Sequence, residues 1–437
     1  MLAGRSEFSR QGPLSAWVVI WLMIFQRLDS LGTLSVAVRE LLCGPVREFV
    51  RWRPGEARRE LSASTSAYSQ ARSRLPLEVA EKASDMIFES LLLEPAVLPG
   101  LKQPMFLLDG STLLLPHSED LVRAYPPPRN QHGASHWSVI RVLVAHEVVS
   151  GLAVRPCWGP MDGPKAVSEQ GLAKQLLPRL PAGSVVLGDR NFGIFSMAYH
   201  AQQQHPCLFR LTEARAGKLN GGVLPNAGTD KHIGWECSRE DRRSNPEIPP
   251  QATVEGRLLA VKVFGADGKP QKLYFFTTLD LPAKQIAELY GYRWNIETDL
   301  RSLKREVRLH TLTAQSQNMV DKELVLGVAA YNLTRAAINQ AAAALNLSPR
   351  QFSFSMARDT VNAFLPRFAA ATSEEERQQL GEQMLRIMSQ SLLPRRRKRR
   401  PSTPREIWPR PCSFPKRKVS KPRTAAKAAK VAREKVA

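Results

Sequence analysis

In the segment LYGYRWNIETDLRSLKREV, Tyr290, Arg293, Glu297, Arg301 and Lys304 stand at offsets of 0, 3, 7, 11 and 14 residues. On a regular α-helix, at about 100° per residue, these offsets fall within a stripe roughly 80° wide, so a carboxylate would share one face with three cations and a phenol. Trp294, Ile296, Leu300 and Leu303 flank the stripe and are expected to pack in the core. Asp299, about 200° from Glu297, is expected to be a surface charge. Two further carboxylates close short apolar runs: FLLDG ends on Asp109 and VVLGD on Asp189, placing each at the rim of a sheet with loop room beyond it. A lone aspartate at a strand end is usually a turn former or helix cap. Three carboxylates with a basic stripe have a more specific use. Two divalent metals about 3.5 to 4 Å apart can activate a water and stabilise the leaving oxygen of a phosphodiester. Hard oxygen ligands favour Mg²⁺ or Mn²⁺, two ions per site, and no small-molecule cofactor is called for. Arg293, Arg301 and Lys304 would then hold phosphates beside the metals, and Tyr290 would pack against or hydrogen-bond the strand being cut.

Other polar residues suit plainer roles. His132 and His136 sit in a Gly-containing loop, and His146 and Glu147 end a strand, so structural or surface roles fit them better than a metal cluster. Ser111 follows Asp109 by two residues, but Gly-x-Ser-x-Gly is absent and no base is placed for it, which excludes serine hydrolysis.

The elements that must position the aspartates and the stripe can be read in outline. Residues 1 to about 90 are helical in pattern, with Leu31, Leu34, Val38 and Leu41 at three- and four-residue spacing, apolar positions recurring from Leu77 to Leu93, and a polar stretch from Gly55 to Arg74 between. From Pro104 the pattern turns to short β-rich runs: PMFLLD, then SVIRVLVAHEVVSGLAV as two strands around a turn, SVVLGD, a helix-like stretch from Phe195 to Gln204, and CLFRLT. After a Gly-, Pro- and charge-rich stretch, RLLAVKVF and KLYFFTTLD flank the turn GADGKP as a hairpin. Helix is expected from Pro282 through about Arg308, again from Lys322 to Leu345, and from Glu374 to Leu392. The middle of the chain is therefore a mixed sheet flanked by helices.

The charge names the class of partner. The 437 residues carry 62 Lys+Arg against 40 Asp+Glu, a formal charge of +22, which calls for a polyanion. Residues 394–437 hold 17 Lys/Arg and two Glu, a net +15; such a Pro-, Ala- and Lys/Arg-rich tail cannot pack a core and is expected to be disordered when free and to touch phosphates regardless of base sequence. The run WVVIWLMIF is too short for a membrane span and lacks a cleavage site after it, so it reads as a buried helix. Five scattered cysteines fit neither a disulfide framework nor a zinc finger, and the expectation is a reduced, cytoplasmic protein without a membrane partner.

Tyr290, two residues, Arg293, three residues, Glu297, six residues, Lys304 resembles the Tyr-(2)-Arg-(3)-Glu-(6)-Lys signature of bacterial insertion-sequence DDE transposases of the IS-four type. LLDGST around Asp109 and GDRNF around Asp189 resemble the two Asp-bearing strands of that family in the same order. The resemblance covers roughly residues 10 to 345. It implies an RNase H-like catalytic domain over 96–345, interrupted by a β-rich insertion at 213–278. Beside the resemblance, the helical N-terminal domain over 1–95 has two readings, DNA-end binding or an ordinary helical cap, and a helical region over 346–393 and the basic tail over 394–437 follow the catalytic domain. The resemblance further implies Asp109, Asp189 and Glu297 as catalytic metal ligands, Tyr290, Arg293 and Lys304 as contacts to element-end DNA, and a homodimer in the synaptic complex. The activity implied is cleavage at transposon ends, then strand transfer into target double-stranded DNA. Arg210 resembles a DNA-contacting arginine of the family, and Trp235 would be the aromatic that stacks on a flipped base, with simple packing as its alternative. Arg190, beside Asp189, has two readings, phosphate binding or pairing with that aspartate. The rival readings are a metal-dependent nuclease without strand transfer and a DNA-binding protein descended from a transposase.

Overall fold

The computed structural model describes residues 13–29, 31–50, 61–92, 97–130, 133–264 and 270–393. The basic tail, His132 and the tip of the 253–277 hairpin lie outside the described residues.

Eight strands form one sheet: β1 (Met105–Leu114), β4 (Val139–Glu147), β5 (Cys157–Pro160), β6 (Val185–Gly188), β7 (Cys207–Leu211), β8 (Asp230–Glu236), β9 (Thr253–Phe264) and β10 (Pro270–Thr277). The two-residue strands β2 (Arg129–Asn130) and β3 (Gly133–Ala134) make a separate small ladder. The order across the large sheet is β5-β4-β1-β6-β7-β10-β9-β8. Strands β1, β6 and β7 run parallel, while β4 lies antiparallel to β1 and β5 to β4. That five-stranded arrangement is the expected RNase H-like one. The β-rich segment does not stand apart from it: β10 pairs antiparallel with β7, and β9 and β8 continue outward, so the segment lengthens the same sheet.

Alternation along the strands divides the core. On one face Phe106, Leu108, Val186 and Phe209 pack against Leu172, Ala173 and Leu176 of α6 (Glu169–Leu176) and against Phe195 and Met197 of α7 (Phe195–Gln202). On the other, Leu107, Leu187, Leu208 and Phe275 pack against Ile286 and Tyr290 of α10 (Ala283–Gly291) and Ile296 of α11 (Trp294–Arg301). Three short helices, α5 (Glu119–Ala124), α8 (Glu213–Leu219) and α9 (Arg239–Ser244), occupy the connections.

The N-terminal part is helical, as its periodicity predicts: α1 (Ala16–Leu28), α2 (Leu34–Cys43), α3 (Thr65–Arg74) and α4 (Leu77–Leu91). α3 lies inside the stretch read as polar, because Tyr68, Ala71 and Arg72 turn inward although its composition gives no apolar face. These helices surround α12 (Gln317–Ala344), which is apolar on all sides through its centre and buried accordingly. Glu323 of α12 receives Arg27 at 2.6 Å and Arg72 at 2.5 Å, and the Ser84 hydroxyl donates to the carbonyl of Val325. Helices α13 (Phe354–Ala370) and α14 (Glu374–Ser389) follow, both within the helical region expected over 346–393, α13 in a part for which the pattern gives no individual helix. No described helix is long and apolar enough to cross a membrane.

Candidate active site

The two aspartates meet through register. β1 and β6 pair in parallel at Leu107↔Leu187, so Asp109 and Asp189 are each two residues beyond one paired position and share that position's face. Pairing between the two strands ends there, at the point where the connections leave β1 toward β4 on one side and β6 leads toward β7 on the other. A crevice at such a switch of direction is where open α/β sheets place ligands. Asp189 follows the last residue of β6, as expected. Asp109 does not end its strand: β1 runs on to Leu114 in register with β4, Asp109 opposite Val144. The GST stretch, where loop room is expected beyond Asp109, is held extended by Leu143, Val142 and Arg141 across the ladder.

One strand further, Gly188↔Phe209 places Arg210 level with Asp189, and Arg210 is paired in turn with Phe275 of β10. Tyr290 covers this row. Its ring lies 4.9 Å from that of Phe275, and its hydroxyl is closed off from solvent among Arg293, Arg210 and Asp189. Burial raises the tyrosine above its ordinary pKa, against the opposing pull of the two guanidinium groups.

The regular helix assumed for the 290–304 stripe is not realised. α10 ends at Gly291, a poor helix former; Tyr292 and Arg293 make a turn, α11 follows, and Ser302–Glu306 widens into a π-helix. Three of the five side chains nonetheless reach the rim: Tyr290, Arg293 and Lys304, whose ammonium donates to Ser111 Oγ at 3.0 Å on the Asp109 face of β1. Glu297 pairs with Arg293 at 3.6 Å and remains half exposed, and Arg293 also bears on Asp109. Arg301 is exposed.

Two sequence expectations are corrected here, and Trp235 falls on the packing side of its two readings. Asp299 is no surface charge: it is wholly buried, bound by Arg335 of α12 at 2.5 Å and by Arg350, because the side of α11 away from the stripe faces the protein interior. Trp294 is not core; it is 65% exposed, with the Arg293 guanidinium 4.7 Å above its ring. Trp235, offered as a base-stacking aromatic, sits on β8 with its ring edge-on to Phe195 and Phe276, 9% exposed, which is the packing alternative. Arg190 is exposed, and its carbonyl accepts from Arg215; Asp189 instead takes the Asn191 N–H at 2.8 Å. His146 is buried, its pKa lowered to about 4 by burial, and Glu147 caps the turn at Val149 and Ser150.

Asp109 is pushed up to about 6, by burial first and then by the charges of Asp189 and Glu169, against the pull of the Gly110 N–H and Arg293. The hydrogen bonds these two carboxylates receive come from neighbouring backbone, Gly110 N–H for Asp109 and Asn191 N–H for Asp189. Two neighbouring carboxylates that accept only backbone N–H groups, with Arg293 bearing on Asp109, have donor chemistry that a hard divalent cation completes. Among the described residues no three acidic, His or Cys side chains form a ready cage, since Glu297 is turned toward Arg293. Glu169 is the residue the sequence reading missed. An acid in the first turn of a helix is ordinarily explained by the helix dipole, and no motif marks this one.

Residues 101–333 match the model of the transposase DDE domain. Over 317 residues the chain is 25% identical to the transposase InsG for insertion sequence element IS4 of Escherichia coli strain K12, an overlap of 70% of this chain and 68% of the relative. Among solved structures, the piggyBac transposase synaptic complex with hairpin DNA is similar with a TM-score of 0.42 and 10% identity, over 89% of this chain and 80% of that one. With more than half of its length within that domain model, the chain belongs to the DDE transposases, in their IS4-type insertion-sequence branch.

Proposed function

We propose that the protein is a cut-and-paste transposase that cleaves DNA at the ends of its element and joins the freed 3′ ends to target DNA. The alignment of Asp109, Asp189 and Arg210 on one face of three adjacent strands, under Tyr290 and Arg293, carries this reading. Asp109 and Asp189, with Glu297 from α11, would hold Mg²⁺, or Mn²⁺ in its place. Bound there, two such ions supply Lewis-acid activation of a water or 3′-hydroxyl and stabilisation of the departing oxygen.

The chain's own residues do the rest. Arg210 and Arg293 present fixed positive charge beside the carboxylates, where a phosphate of the cut strand would otherwise meet only negative charge. Lys304, held to Ser111, fixes a second cation along β1. The buried Tyr290 hydroxyl offers a hydrogen bond whose neighbours keep it oriented. Arg301 and Arg190, both exposed, suit contact with phosphates further along the duplex. Two such sites acting on paired element ends call for a homodimer in the synaptic complex.

The test is metal-dependent cleavage and strand transfer on DNA carrying the gene's own flanking ends, comparing wild type with Asp189→Ala and Glu297→Ala. Joined products from the wild type, lost in both variants, are expected. Cut but unjoined ends would favour a nuclease, and binding without cutting a DNA-binding protein.

A further inference from the structure

Glu169 belongs to the helix on the far side of the sheet from the aspartates. Along β1, Phe106 and Leu108 face α6, and Gly110 continues that row, while Asp109 faces the opposite way. At Gly110 the strand carries no side chain, and the Glu169 carboxyl fills the space. A Cβ built on Gly110 would come within 2.4 Å of both Glu169 Cδ and Oε1. The same carboxylate accepts a hydrogen bond from the side-chain amide of Asn191, in the loop just after Asp189. Gln170, next to Glu169, donates to Asn191 Oδ1 at 2.8 Å and to its carbonyl at 3.0 Å. Asn191 in turn gives its backbone N–H to Asp189 Oδ1 at 2.8 Å. The first turn of α6 is itself fixed, with Ser168 Oγ accepting from the Gly171 N–H at 3.0 Å.

These contacts form one path from the Asp109 strand to the Asp189 carboxylate: Gly110, Glu169, Asn191, Asp189. Direct β1–β6 pairing has stopped at Leu107 and Leu187, so beyond that point this path bridges what backbone hydrogen bonds no longer join. We propose that Glu169 is a positioning residue of the active site which, through Asn191, sets the Asp189 carboxylate relative to Asp109 for divalent-cation binding. The inference rests on the proposed reading of the aspartates as metal ligands. It assigns Glu169 no ligand role, because the carboxylate stands across β1 from the face that Asp109 presents. Its contribution to the position of Asp189 is the hydrogen bond it accepts; its charge acts separately, on Asp109.

Three variants separate these contributions: Glu169→Ala removes acceptor and charge, Glu169→Gln keeps an acceptor for Asn191 without the charge, and Asn191→Ala removes the donor and leaves the charge. Free Mn²⁺ is followed by its electron paramagnetic resonance signal during titration of each full-length protein. Melting without metal checks folding, and cleavage is assayed in parallel. Removing a partner that orients a metal ligand typically costs about 10- to 100-fold in metal affinity or activity. Glu169→Ala and Asn191→Ala are expected to weaken Mn²⁺ binding about tenfold or more, with Glu169→Gln staying within about threefold of wild type. Glu169→Gln falling as far as Glu169→Ala would overturn the inference in favour of direct charge action. Asn191→Ala binding like wild type would overturn it as well. A wild type that binds no Mn²⁺ would instead refute the reading of the aspartates on which the inference stands.

Discussion

Replacing Asp299 by alanine tests how the arm that carries Glu297 is fastened. The Asp299 side chain has no exposure; it accepts from Arg335, which is 4% exposed, and from Arg350, with the Tyr331 hydroxyl 3.3 Å away. Burial alone would raise this carboxyl, yet Arg335 and Arg350 hold it below its ordinary value. The alanine variant leaves a buried guanidinium without its counter-charge, a loss of about 3 to 5 kcal/mol. Against a typical total stability of about 5 to 15 kcal/mol, that is a large fraction. Urea unfolding followed by tryptophan fluorescence at pH 7 should show the midpoint fall accordingly. Because the folded-state pKa is depressed, the stabilisation is present above the unfolded value near 4 and is lost as pH falls through the folded one, so wild type and variant converge in acid. Cleavage should fall with stability, since Asp299 and Glu297 share α11. Asp299→Leu combined with Arg335→Met should recover part of the loss, because the stranded charge goes with it. A change below about 1 kcal/mol for Asp299→Ala, or no recovery in the double variant, would refute the assignment of this cluster as the anchor.

Three other outcomes are expected. Asp109→Asn should stabilise the metal-free protein above pH 6: a pKa raised from 3.8 to about 6 corresponds to at most about 3 kcal/mol, a gain that shrinks below pH 6 and is absent below pH 3.8 because the acid is then neutral in both states; melting in a chelator from pH 3.5 to 8 checks it. Trp294→Ala should weaken binding to DNA with unpaired ends by about 1 kcal/mol, read by fluorescence anisotropy, without moving the melting temperature, as the ring is largely solvent-exposed and free to stack. Deleting residues 394–437, with a net +15, should reduce the slope of log affinity against log salt while leaving cleavage of a bound end intact.

The aspartates were legible because each ends a run of apolar β-formers, and strand parity then puts both on one face once the pairing is known. Tyr290, Arg293 and Lys304 were legible through their spacing, although the helix that spacing assumes is interrupted at Tyr292. What escaped is non-local. Asp299 reads as surface because periodicity gives an angle around the helix axis, not which side faces inward; its partners stand 36 and 51 residues further on. Glu169 and Gly110 are unremarkable singly, and only the packing of α6 against β1 brings them together. Strand β1 continues past Asp109 because Val142 and Leu143 hold it, and Ser111 and Thr112 carry no sign of that. The β-rich segment reads as an interruption, since pairing of β10 with β7 joins residues more than sixty positions apart in the chain.

The break at Tyr292 and the widened turn at Ser302 have a consequence for how the site is completed. Asp109 is clamped in a nine-pair ladder with β4, whereas Glu297 rides on two turns of helix bounded by a kink on one side and a loosened winding on the other. The arm is thus a short helix between two irregular joints, pinned at its back by Asp299. On the proposed reading of Glu297 as a ligand, adjustment of the coordination geometry would fall on this arm rather than on β1. In amide hydrogen exchange this reads as a separation of clocks, with β1 slow and the 292–306 arm fast, and occupancy of the site slowing the arm while β1 keeps its rate.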